Sequence, residues 1–61
     1  MPIIQVTLVQ GRDDDVVQTF IRRVAEVAHE TLNAPMDSIR VMVNEVPPTR
    51  FSVGSKLRSD R

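Results

Sequence analysis

Two β-branched segments on either side of one long amphipathic stretch constrain this chain more than any other feature. In Ile3–Val9, Ile4, Val6 and Leu8 fall on one face and Ile3, Gln5, Thr7 and Val9 on the other, the two-residue period of a strand. Ile39–Val46 alternates in the same way, with Ile39, Val41, Val43 and Glu45 opposite Arg40, Met42, Asn44 and Val46. Between them, Val17, Phe20, Ile21, Val24, Val27, Ala28, Thr31 and Leu32 recur at helical spacing, which predicts one buried stripe on a helix over about 14–32. Arg22, Arg23, Glu26, His29 and Glu30 take its polar face. A strand–helix–strand unit has parallel strands and a right-handed crossover. The expected fold is therefore α+β, a β-α-β unit in one domain spanning 1–61. One helix cannot cover both faces and both edges of its sheet, so the remainder must pack against copies of the same chain.

The punctuation agrees with these elements. Gln10-Gly11-Arg12 is the turn out of the first strand. Asp13 is placed to cap the helix, with Asp14 and Asp15 at the positive end of its dipole. Asn33 suits a left-handed helix end, and Pro35 prevents continuation. Pro47-Pro48 ends the second strand, because proline cannot donate to a ladder. A polar segment then runs around Phe51, Val53 and Leu57, and Gly54 marks a turn in a short hairpin or tail.

Composition sharpens the need for partners. A chain of 61 residues buries only about 60% of its unfolded surface and usually needs a staple. It has no cysteine and a single histidine, His29, which excludes disulfides, thiolate sites and histidine-rich metal sites. Oligomerisation is the remaining route. Eight basic and eight acidic residues leave no net charge, and Phe20 and Phe51 are the only aromatics. This argues against nucleic acid as a partner. No apolar run reaches membrane-spanning length and no leader is evident, so a soluble, cytoplasmic protein without membrane partners is expected.

Pro2 follows Met1 directly. Removal of Met1 leaves a secondary amine at the N-terminus, and a free α-amine titrates far closer to neutrality than lysine does. Nearby cations and burial favour its neutral form. Such a group can take up a proton and return it, acting as a general base. A strand beginning at the next residue would hold it in place instead of leaving it on a frayed tail. Taken singly, Arg12 reads as a loop arginine and Arg40 as the cap of an exposed sheet face. His29 reads as ordinary surface and Asp13–Asp15 as a helix start. Arg50 reads as a solvated neighbour of Phe51.

Five landmarks occur together: Met1-Pro2-Ile3, Gly11-Arg12 after the first strand, Ala34-Pro35 after the helix, Ser38-Ile39-Arg40-Val41 opening the second strand, and Phe51 after the proline-rich break. At this spacing the chain resembles the short 4-oxalocrotonate tautomerase (2-hydroxymuconate tautomerase) family over nearly its whole length. The resemblance implies a homohexamer built as a trimer of dimers, and a cofactor-free, metal-free isomerase acting on a small dicarboxylate dienol. It implies that Pro2 is the catalytic base, that Arg12 and Arg40 are the two substrate-binding arginines, and that Phe51 forms the apolar wall. In the family these groups come from different subunits. A planar guanidinium suits each carboxylate, since it binds through two parallel hydrogen bonds, and stabilises charge developing on the enol oxygen.

The chain departs from the family pattern in two places. Phe51-Ser52-Val53-Gly54-Ser55 has one glycine where family members are glycine-rich, and Pro47-Pro48 is stiffer than the usual connection. Both bear on the hairpin and the pocket entrance. Two rival functions also stand. A 3-haloacrylate dehalogenase of the same superfamily needs a carboxylate just beyond Phe51 and an arginine in the first strand. Ser52, Val53 and Val9 occupy those positions. A non-catalytic binding module would follow if Met1 were retained.

Overall fold

The computed structural model describes residues 1–60. Strand β1 (Ile3–Val9) pairs in parallel with β2 (Arg40–Val46), in register from Ile3 opposite Arg40 to Val9 opposite Val46. One further bond closes the ladder at each end: the Arg40 N–H donates to the Pro2 carbonyl at 3.0 Å, and the Gln10 N–H to the Val46 carbonyl at 2.9 Å. β2 starts one residue later than the alternation predicts. Ile39 instead ends a 3₁₀ turn, Met36–Ser38, with its N–H on the Met36 carbonyl at 3.2 Å.

Helix α1 (Asp14–Leu32) crosses between the strands. Asn33 ends it in the left-handed conformation, at φ 55° and ψ 37°, as its position predicts. The N-terminus differs from expectation. Asp13 occupies the capping position, but its carboxylate makes no capping bond. The N–H that it would take, that of Val16, goes to Asp15 Oδ1 at 3.0 Å and to the Asp13 carbonyl at 3.1 Å. The donor is already satisfied.

The helix covers one face of the sheet. Ile4, Val6, Leu8, Val41 and Val43 are half-buried on that face, while Ile3, Gln5, Thr7, Arg40, Met42 and Asn44 lie exposed on the other. Val17, Ala28 and Ile39 are the buried hydrophobic side chains among the described residues. The predicted stripe is wider than the surface it meets. Phe20, Val27 and Leu32 remain 40%, 56% and 62% exposed. Two strands only ~4.8 Å apart cannot span an apolar stripe more than ~100° wide.

After β2, Pro48–Arg50 form a 3₁₀ turn, with the Arg50 N–H on the Pro47 carbonyl at 2.8 Å. β3 (Ser52–Val53) and β4 (Lys56–Leu57) then pair as an antiparallel hairpin, separate from the main sheet. Gly54 turns the chain there at φ 61°, a conformation that costs glycine no steric strain. The hairpin stands away from the β-α-β body. The radius of gyration is 14.6 Å, against about 10.5 Å for a compact domain of this length. The accessible surface of 4999 Å² is about a quarter more than a monomer of this mass normally exposes. No helix among the described residues is long and apolar enough to cross a membrane.

Candidate active site

Pro2 is half-buried immediately before β1, and the bond from the Arg40 N–H holds its carbonyl. Because the strands are parallel, Pro2 and Arg40 meet where both strands begin. The loop beneath them is tied down at several points. His29 Nδ1–H donates to the Ala34 carbonyl at 2.6 Å, and the Ser38 hydroxyl to the Pro35 carbonyl at 2.7 Å. Arg40 Nη1 donates to the carbonyls of Asp37 at 2.7 Å and Ile39 at 3.2 Å. These bonds fold Arg40 back onto the loop, so it does not lie flat across the open sheet face. His29, read from the sequence as plain surface, fastens the end of the helix to this loop.

Arg12 lies beyond the other end of β1. Its guanidinium donates to the Val9 carbonyl at 3.4 Å. With Leu8, Val16, Val17 and Phe20 it lines a cleft of about 290 Å³ between sheet and helix. It also borders a broader groove of about 580 Å³ that includes Gln10, Pro48 and Arg58. Phe51, 39% exposed, lines a pocket of about 240 Å³ with Val53, Leu57 and Arg58. Lys56 and Asp60 complete that pocket. Arg50 is outside it, with Nη1 donating to its neighbour Thr49.

The candidate residues therefore fall into two groups. Pro2 and Arg40 are together at the start of the strands. Arg12 and Phe51 are at the finish, linked through Arg58, which borders both of their pockets. The length of β1 separates the two sets, roughly 23 Å for seven steps of extended chain. Within the chain, Arg40 stands at the Pro2 end of the strands and Arg12 at the far end. Asp13, Asp14 and Asp15 do not converge with other donors; no metal-binding group of three or more His, Cys, Asp or Glu occurs among the described residues.

Arg58 escaped the sequence reading. The signal was present in the hairpin register. Once Gly54-Ser55 is the turn and Ser52 opposes Leu57, the next residue must face Phe51.

The family model of tautomerase enzymes matches residues 2–61, a span that holds every candidate residue of both groups. The chain belongs to the tautomerase family. A 2-hydroxymuconate tautomerase of Pseudomonas putida is 39% identical over 59 residues, which cover 97% of this chain and 94% of the relative. The solved structure of TomN, a 4-oxalocrotonate tautomerase homologue in the tomaymycin biosynthetic pathway, matches with a TM-score of 0.88 and 40% identity. It covers 95% of this chain and 89% of TomN. A heterohexamer 4-oxalocrotonate tautomerase from Chloroflexus aurantiacus matches with a TM-score of 0.90 at 25% identity, over 98% and 97% of the two chains. This tautomerase is thus an isomerase-type enzyme with the β-α-β architecture of its neighbours, and the non-catalytic module gives way to that assignment.

Proposed function

We propose that this tautomerase converts the enol form of 2-hydroxymuconate, or of a similar 2-hydroxydienoate dicarboxylate, to its keto form. Pro2, freed by removal of Met1, is the base. Its nitrogen takes the proton of the 2-hydroxyl as the enol electrons shift along the conjugated chain, and the same nitrogen returns the proton to C5. Atoms and charge balance with no cofactor. Arg40, beside Pro2, binds the carboxylate next to the reacting enol and stabilises charge growing on its oxygen. Arg12 binds the remote carboxylate, and Phe51 supplies an apolar wall that favours the neutral amine.

The observation that carries this reading is the bond between the Arg40 N–H and the Pro2 carbonyl. It fixes the residue that N-terminal trimming turns into a free amine beside the start of β2, where Arg40 stands, and proton transfer depends on such positioning. The other group then has to come from another copy. The excess surface, the uncovered sheet face and the detached hairpin all support a homo-oligomer. The heterohexamer neighbour supports six chains, arranged as a trimer of dimers. Aromatic-ring catabolism in the cytoplasm is the setting that fits such a substrate.

The test is ketonisation of 2-hydroxymuconate followed by ultraviolet absorbance, with mass spectrometry to confirm that Met1 is absent. Fast turnover that collapses in Pro2→Ala supports the reading. Equal turnover in both proteins overturns the assignment of Pro2.

A further inference from the structure

We infer that Arg58 is a further substrate-binding residue, which joins Arg12 in holding the remote carboxylate and so sets a preference for dicarboxylates over monocarboxylates. The inference rests on the proposed tautomerase reading and adds a residue to its site.

Three observations carry it. First, Arg58 borders both the pocket with Phe51 and the groove with Arg12, the only arginine to do so among the described residues. Second, its backbone is fixed. The Arg58 N–H donates to the Phe51 carbonyl at 2.7 Å, one step beyond the Ser52–Leu57 pair of the hairpin. Its side chain therefore leaves from a point set relative to Phe51. Third, its guanidinium has no hydrogen-bond or ion-pair partner among the described residues. Arg12, Arg40 and Arg50 each donate to a main-chain carbonyl, and the ion pair found among the described residues joins Arg23 to Glu26. The acid in the pocket, Asp60, already accepts the Leu57 N–H through Oδ2 at 2.9 Å. Two guanidinium groups facing one groove repel each other and gain from an anion placed between them. Arg40 sits at the Pro2 end, so the carboxylate beside the enol belongs there. The carboxylate at the far end of the substrate falls to Arg12 and Arg58.

The test compares wild type with Arg58→Ala and Arg58→Lys in two readouts. The first is turnover of 2-hydroxymuconate and of the monoacid 2-hydroxypenta-2,4-dienoate. The second is calorimetric binding of muconate, a dicarboxylate with no enol to convert. Light scattering checks that assembly is unchanged. Losing one charge-assisted contact should raise KM for the diacid, and Kd for muconate, by about tenfold. A small change in kcat is expected, since the lost contact is present before the reaction as well as during it. The monoacid should be unaffected, and Arg58→Lys should recover part of the loss. Equal loss on both acids, or none on either, overturns the inference, as does wild-type protein that does not bind muconate. Muconate binding that weakens in Arg58→Ala while neither substrate is turned over would uphold Arg58 as a dicarboxylate ligand and overturn the tautomerase substrate.

Discussion

The two ends of the β1–β2 ladder are built by different means. At the start of the strands, main-chain bonds fix Pro2 against Arg40, and Arg40, Ser38 and His29 each donate to a carbonyl of the loop beneath. At the finish, Arg12 stands on a turn, and Phe51 and Arg58 flank a hairpin that among the described residues pairs outside the main sheet. Little there is buried, and the pockets are open and shared between loops. The contrast separates two tasks. A reacting atom must be held to within a fraction of an ångström, and a ladder does this. Under the proposed function, a surface that captures a flexible diacid needs charge and access, and it can wait for a neighbouring copy to close it.

Mutations at the two ends should divide accordingly. The largest effect belongs to Pro2→Ala, expected to lower kcat by ~10²–10⁴-fold with assembly unchanged by light scattering. In wild type, kcat/KM should rise with pH as the amine loses its proton, because only the neutral form is a base. The pH profile of Pro2→Ala should lack that rise. A retained rise would assign the base elsewhere.

Arg12→Ala and Arg40→Ala come next, each expected to cost about 10- to 100-fold in kcat/KM. They also offer the sharpest test of the comparison. Mixing Pro2→Ala with Arg12→Ala chains should restore part of the activity, since a copy with intact Pro2 can meet a copy with intact Arg12. Absence of complementation in verified mixed oligomers, or a single-chain mass at micromolar concentration, would mean that one chain completes the site.

Phe51→Ala should act more weakly, with a several-fold loss of kcat/KM read by steady-state kinetics, because the side chain is only partly buried and contributes a wall. His29→Ala should have the smallest functional effect. Losing one hydrogen bond costs about 1 kcal/mol, and for a domain of this size that lowers Tm by roughly 4–8 °C, measured at fixed chain concentration. An unchanged Tm would show that the loop below Arg40 holds without it.

Much of this was readable from local pattern. The period-two runs at Ile3–Val9 and Ile39–Val46, the Asn33 stop and the Gly54 turn each depend on a residue and its nearest neighbours, and each stands where the sequence places it except that β2 begins at Arg40. Pro2 and Arg40 were legible for the same reason, since parallel strands that begin beside them must bring them together. The misses were matters of competition or of width. Asp13 lost the Val16 N–H to Asp15. Phe20, Val27 and Leu32 joined a helical stripe that a two-stranded sheet is too narrow to cover. Arg58 depended on a hairpin register that a single glycine only hinted at.

The sequence by itself determined the order of elements and the crossover, because periodicity and turn residues are local properties. Only the tertiary structure set Arg12 and Pro2 at opposite ends of the sheet. The distance between Arg12 and Pro2 is set by the full length of a strand, and strand length becomes separation in space only when the chain is folded.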